Sequence, residues 1–303
     1  MLTFRPIDVT DRELITSFTI PSNYQNCDYS FSNMCSWQFL YRSEYTIVND
    51  SLVIRFYIQN DRPAYMFPLG KGSLSETLDI MEADSLALGH PLLMLGISPE
   101  AQKDLEAVLP GQFHYVSERD YFDYIYLRDD LVNLKGKKFQ SKRNHINRFK
   151  NKYDFRLIPI SKEIIPQCLE LERKWVHANQ TSEDMEELSN EYRSMRFALE
   201  NYGELGLIGA ALIVDCEIIA FTFGSPINKN TFGVHVEKAD INYEGVFSVI
   251  NNEFVSKIPE KYIYINREED LGIPGLRKAK LSYNPHILLE KSFVAKKVDP
   301  TLL

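Results

Sequence analysis

No run of residues in this sequence approaches the roughly 18 consecutive apolar positions that a membrane-spanning helix needs. Its four cysteines, Cys27, Cys35, Cys168 and Cys216, form no CxxC pair, and no histidine stands beside them at zinc-finger spacing. Structural zinc and disulfides are therefore not expected, and no metal site is assigned. Scattered single cysteines fit reduced thiols, most of them buried. Neither GxGxxG nor a P-loop occurs, which removes those two routes to nucleotide phosphates. GxSxG is missing as well, so hydrolase chemistry on a nucleophile elbow is not supported. Positive charge is in deficit: 34 Lys and Arg face 42 Asp and Glu, for a formal charge of −8. That excludes a protein coating nucleic acid or anionic membrane with its whole surface, and leaves only a local basic patch. The first residues, MLTFRPIDVTDRELI, put acidic side chains where a secretory signal needs a basic start and an apolar run, so a cytoplasmic protein is expected.

What is present is an ordinary globular composition, 44% apolar and 25% charged over 303 residues, enough for a sizeable core and for two domains of usual size. A helix is expected near 11–18 and an aromatic helical stretch over 31–41. Alternation then predicts strands at 46–49, 52–59 and 64–68, with Asn49-Asp50 and Asn60-Asp61 as turns. A helix over 75–88, a strand at 92–96, a helix begun by Ser98-Pro99-Glu100, and strands at 113–116 and 123–127 complete the first half. The second half repeats the order: strands at 205–214, 217–224 and 231–238, a helix over 245–257, a strand at 262–266, a short helix near 274–281 and a last strand over 286–294. Three strands, a helix and a further strand, twice, suggest duplication of one mixed α/β unit. The expected division is 1–134, a connecting helix over 135–153, and 154–303.

That connecting segment, KGKKFQSKRNHINRFKNKY, contains no acidic residue. On a helix Phe139, Ile146, Phe149 and Tyr153 make an apolar seam, while Lys138, Ser141, His145, Arg148 and Lys152 share a stripe. Such a helix docks by its seam and offers cations to an anion, or is a solvated face that offsets the acidic remainder. Without Asp or Glu at i±4, it fits binding of phosphate or RNA through Lys138, Lys142, Arg143, Arg148 and Lys152, flanked by Asn144, Asn147 and Asn151.

The chemistry-bearing residues gather later. In TFGVHVEKA, His235 and Glu237 are two apart and share a face of the strand, so they are candidates for a base with an orienting carboxylate, or for a hydrogen-bonded polar pair. The segment YIYINREEDLGIPGLRKAKLSYNP turns from a strand into Glu268, Glu269 and Asp270, then into Arg277, Lys278 and Lys280. If its strand lies beside that of His235, then His235, Glu237, Asn266 and Glu268 converge with the basic turn. The alternative is a network of surface ion pairs. Tyr243-Glu244-Gly245 opens a helix whose free N–H groups make a modest anion site.

The segments INREEDLGIPGLRKAKLSYNP, GAALIVDCEIIAFTFGSPIN and TFGVHVEKA, with FSNMCSWQFLY and KKFQSKRNHINRF, resemble the phosphatidylglycerol lysyltransferase C-terminal domain family over nearly the whole chain. That resemblance implies two tandem GNAT (acyl-CoA N-acyltransferase-like) domains. LRKAKLSYNP is also similar to the ending of Fem-type aminoacyl-tRNA-dependent transferases, with Tyr283 where those have Phe. The implied activity is transfer of an amino acid from aminoacyl-tRNA to an amine or hydroxyl acceptor, with no further cofactor. The second GNAT unit would carry the chemistry. For that activity His235 or Glu237 would assist proton transfer and Lys280 with Arg277 would stabilise the oxyanion; the likeness itself places Arg277 and Lys280 near the aminoacyl ester or its phosphates. Glu268 and Asp270 contact the amino group, and Asn266, Lys278 and Tyr283 line the substrate. The sequence departs from the family in two ways: 243–245 is not the Gly-rich pyrophosphate loop of acetyl-CoA enzymes, and the membrane half of the lysyltransferases has no counterpart here. A small-molecule, peptide or lipid acceptor therefore stays open. The alternatives are an acyl-CoA-dependent N-acyltransferase, with acetyl-CoA as donor, and a catalytically silent GNAT-fold binding protein.

Overall fold

The computed structural model describes residues 2–179 and 185–297. Its strands run in chain order as β1 (Arg5–Pro6), β2 (Glu44–Val48), β3 (Ser51–Ile58), β4 (Arg62–Tyr65), β5 (Leu69–Gly70), β6 (Leu93–Ile97), β7 (Phe113–Ser117), β8 (Asp123–Leu127), β9 (Phe155–Pro159), β10 (Ile208–Val214), β11 (Glu217–Pro226), β12 (Thr231–Ala239), β13 (Tyr264–Asn266), β14 (Ile287–Leu289) and β15 (Ser292–Lys296). Turn chemistry explains the hairpins. Asn49 and Asp50, and again Asp215 and Cys216, are consecutive residues with positive φ, the backbone of tight turns whose twist matches that of the strands. Side-chain caps start two of the helices: Ser73 Oγ accepts from the Glu76 N–H ahead of Leu74–Ala87, and Ser98 Oγ from the Ala101 N–H ahead of Pro99–Val108.

Two mixed sheets result, in the orders β1-β2-β3-β4-β6-β15-β7, with β5 on β3, and β14-β8-β13-β12-β11-β10-β9. Each contains the expected unit. In the first, antiparallel β2, β3 and β4 lead through the Leu74–Ala87 helix to β6, parallel to β4. In the second, β10, β11 and β12 lead through the Val246–Lys257 helix to β13, parallel to β12. The exchange of strands is not visible in sequence: β8 lies between β13 and β14, and β15 lies between β6 and β7. Sheet membership therefore crosses the division expected at residues 134 and 154. The single strand expected over 286–294 is two strands, β14 and β15, in different sheets.

One apolar cluster spans both halves, taking in Ile15, Tyr65 and Met94 from the first and Cys168, Met195, Phe221 and Phe223 from the second. Cys168 and Met195 come from two helices that the turn signals do not reveal, Ile165–Asn179 and Met185–Glu200. The basic segment forms the Gln140–Lys152 helix. Phe139, Ile146 and Phe149 of its expected seam are buried beside Val246 and Val249, each such side chain stabilising the docking by about 2 kcal/mol at most. Gly245, with φ of +88°, lets this helix approach: a Cβ there would stand 2.8 Å from the His145 carbonyl oxygen.

Candidate functional site

β12 and β13 pair only from Thr231–Gly233 to Tyr264–Asn266, after which β13 ends and β12 runs on paired with β11 alone. Side chains close the gap that opens. The β11 register slips here: Phe223 pairs with Val236 and Gly224 with Val234, so His235 is the extra residue of a bulge. The bulge overturns the shared face expected for His235 and Glu237. His235 turns toward Ser30, Ser225 and Glu268, whereas Glu237 accepts from Asn251 and Arg267.

His235 Nδ1 lies 2.8 Å from Glu268 Oε1, and Nε2 lies 2.8 Å from Ser225 Oγ and 3.1 Å from Ser30 Oγ. A carboxylate only accepts, so Nδ1 donates to Glu268, and in the neutral ring Nε2 then accepts from a serine hydroxyl. Ser32 closes the hydroxyl cluster, 2.9 Å from both Ser30 and Ser225. The serines are buried, and the His235 side chain is only 5% exposed against 22% for Glu268. Glu268 is thus the end of the relay that a substrate can reach. It has φ of +59°, costly for a residue with a Cβ, and Asn266 Oδ1 holds that turn by accepting from the Glu268 N–H at 2.7 Å. Asn33 Nδ2 donates to the same Oε1 at 2.8 Å, and Oε2 has no hydrogen-bond partner among the described residues. Strain, a fixed orientation and one uncommitted oxygen suit a group that receives a proton or an ammonium.

A second polar cluster lies behind this one. Lys291, 4% exposed, donates to Asp123 at 2.8 Å, Asp28 at 3.0 Å and Glu269. Burial works against charge here, but Lys291 outweighs it and holds Glu269 below the usual carboxylate range, while the carboxylates raise Lys291. Cys27, Asp28 and Glu269 bring potential metal-ligating atoms within 4.8 Å of one another, with the Lys291 ammonium bonded to all three. Asn266 is fully buried and donates to Asp123 at 2.7 Å and to the Gln25 carbonyl at 2.8 Å, which ties the two clusters together.

The basic turn makes no hydrogen bond or ion pair with Glu268 among the described residues, and only Lys280 comes near it. Arg277 pairs with Asp270 at 2.7 Å and with Asp120 at 2.5 Å, and Asp270 also accepts from Tyr124, Arg119 and the Gly272 N–H. Burial opposes charge on Asp270, yet these donors hold it well below the usual range. Lys280 is buried and donates to the carbonyls of Arg267 and Glu269, its pKa lowered by burial. Lys278 is exposed on the Pro274–Leu281 helix.

On the opposite face, Arg267 donates to Glu237 at 2.8 Å and lies over the Tyr283 ring at 4.8 Å. Lys142 reaches the same ring at 3.8 Å, so it points inward, away from the surface expected for it. Arg143 donates to the carbonyls of Leu134 and Gly136, fastening the connector. Lys138 and Arg148 remain outward, paired with Asp130 at 3.0 Å and Glu244 at 3.3 Å, and the Lys152 amine lies over Tyr153 at 4.9 Å. The partners missing at i±4 come from elsewhere in the chain. Sequence reasoning missed Ser30, Ser32, Asn33, Asp123, Ser225 and Lys291; the only signal was the aromatic 31–41 segment, which carries two of them.

The paired mixed sheets define a tandem GNAT fold, an architecture shared with FemX. The sequence profile described as "Phosphatidylglycerol lysyltransferase, C-terminal" matches residues 21–296, and the chain belongs to that family. A crystal structure of a conserved protein of unknown function from Bacteroides thetaiotaomicron is 50% identical, with a TM-score of 0.95 over 98% of this chain and 100% of that one. L-PGS from Bacillus licheniformis has the same fold at 13% identity, with a TM-score of 0.68 over 98% of this chain and 95% of that one. An uncharacterised protein of Mycoplasmoides gallisepticum is 25% identical over 176 residues, 57% of this chain and 55% of that relative's length. Among the described residues, no helix is long and apolar enough to cross a membrane.

Proposed function

We propose that the protein is a cytoplasmic aminoacyltransferase that moves an amino acid from aminoacyl-tRNA to an amine or hydroxyl acceptor, which is a small molecule, a peptide or a lipid headgroup. The observation that carries this reading is Glu268, strained, oriented by His235 and Asn33, and open through one oxygen. The acceptor's lone pair attacks the ester carbonyl carbon, and Glu268, backed by His235, takes the acceptor's proton. The ester C–O bond then breaks and the tRNA hydroxyl leaves with that electron pair and a proton. Lys280, already committed to two carbonyls, acts through the loop it holds rather than on the oxyanion, and Arg277 with Asp270 braces the same loop. Family membership and the fold shared with L-PGS support the aminoacyl donor.

For tRNA, the outward cations Lys138, Arg148 and Lys152 are the available surface. Their exposed ion pairs are worth about 0–1 kcal/mol each, so phosphates can displace the carboxylates. An acyl-CoA donor is less well supported, because the Gln140–Lys152 helix lies against Gly245, where a pyrophosphate would need the free N–H groups of the Val246–Lys257 helix. The test is binding of the purified protein to charged tRNA, uncharged tRNA and acetyl-CoA across a salt series, followed by transfer of labelled amino acid. Salt-sensitive tRNA binding that weakens in a Lys138→Ala, Arg148→Ala variant is expected. Saturable acetyl-CoA binding without tRNA binding would replace this reading.

A further inference from the structure

Among the cations of the connecting helix, Lys142 stands apart. Lys138 and Lys150 pair with Asp130 and Glu253 at 3.0 and 2.7 Å, but Lys142 has no carboxylate within ion-pair distance among the described residues. It is half-buried, with its ammonium 3.8 Å from the centre of the Tyr283 ring. Arg267 occupies the same ring at 4.8 Å and spends its charge on Glu237 at 2.8 Å. Glu237 in turn is engaged by Asn251 at 3.0 Å. Two cations therefore share one aromatic ring, and the carboxylate beside them, Glu237, is already bonded to Arg267 and Asn251.

We propose that Lys142 is a covalent modification site, an ε-amine that takes an acyl group from an activated acyl donor such as an acyl phosphate. The Nζ lone pair attacks the donor's carbonyl carbon, an amide N–C bond forms, and the C–O bond to phosphate breaks. Phosphate leaves with that electron pair, and the nitrogen's proton passes to solvent. The product is neutral, so modification removes the like charge beside Arg267 and leaves Glu237 with one cation. Burial, with the Arg267 charge second, lowers Lys142 to about 8, which makes the neutral amine abundant in mildly alkaline solution. Tyr283 stays un-ionised because burial raises it, so no phenolate restores the positive form. The remaining charged neighbour, Glu237, acts in the opposite direction and is outweighed.

The test uses the full chain, acetyl phosphate as donor, and peptide mass spectrometry to read acetylation at each lysine between pH 6.5 and 9.5. Lys142 is expected to acetylate roughly tenfold faster than Lys138 and Lys150 near pH 8, with the advantage shrinking as pH rises toward the ordinary lysine range. In Glu237→Gln, loss of the one carboxylate that favours the charged amine should move the onset for Lys142 to lower pH, a shift that a merely accessible lysine would not show. Equal rates at the three lysines in the folded protein would overturn the proposal. So would the same preference in urea, because the local sequence rather than the cleft would then set the reactivity.

Discussion

Asp123 and Lys291 stand 2.8 Å apart, although one opens β8 and the other immediately precedes β15, the two strands that the sheets exchange. Their ion pair sits where the two halves interlock, with Asp28 and Glu269 also drawn to the same ammonium. A buried cation facing several carboxylates is a poor source of net stability but a costly one to remove, since its partners keep their desolvation penalty. Lys291→Ala is expected to lower unfolding free energy by about 3–5 kcal/mol in urea titrations. A loss under about 1 kcal/mol would mean the carboxylates find other partners and the cluster is not a clasp.

Glu268→Gln removes the accepting charge and keeps the shape. If Glu268 receives the acceptor's proton, transfer should fall by about 10²-fold or more, with little change in thermal midpoint. His235→Asn should give a smaller loss, because it only orients and polarises Glu268. Equal activity of Glu268→Gln and the parent protein would sink the assignment.

Lys280 separates a catalytic from a structural role. Its buried ammonium donates to two backbone carbonyls, those of Arg267 and Glu269. Lys280→Ala leaves those carbonyls unpaired, with an expected loss of about 2–3 kcal/mol and a parallel loss of activity. Full stability with abolished transfer would instead place the amine on the substrate.

Asp270 gives a pH test with a definite sign. Its folded pKa lies below the unfolded value, so its contribution is fully present above the unfolded pKa of about 3.9 and is lost as pH falls through the depressed folded value. The stability gap between the parent protein and Asp270→Asn should be largest near pH 6 and should close steadily below about pH 4. A gap that stays constant down to pH 2 would show that Asp270 titrates alike in the folded and unfolded states, so that its donors do not favour the charged form.

Much of the site's location was legible in the sequence, and its wiring was not. The strand carrying His235 and the acidic turn at Glu268 stood out because charge at a strand end is poorly explained by packing. Alternation then put His235 and Glu237 on one face, since a period of two has no way to register an extra residue. The bulge at His235 is set by how β11 pairs with β12, and it sends the two side chains to opposite sides. The basic helix shows the same limit. Its apolar seam could be counted from the sequence, but Asp130, Glu244 and Glu253 come from other elements, and Lys142 turns inward only because Tyr283 offers a ring there.

By itself the sequence determined most of the elements and the order repeated in both halves, though not β9, the helices Ile165–Asn179 and Met185–Glu200, or the break between β14 and β15. Asn-Asp turns, serine caps and apolar periodicity act over a few residues, and they set helices and strands wherever the chain goes afterwards. Tertiary structure alone decided which sheet β8 and β15 enter, which carboxylate each cation meets, and that Ser30, Ser32 and Ser225 assemble on His235. Those outcomes rest on contacts between residues far apart in the chain, where burial makes each polar group's energy depend on the partner that folding delivers.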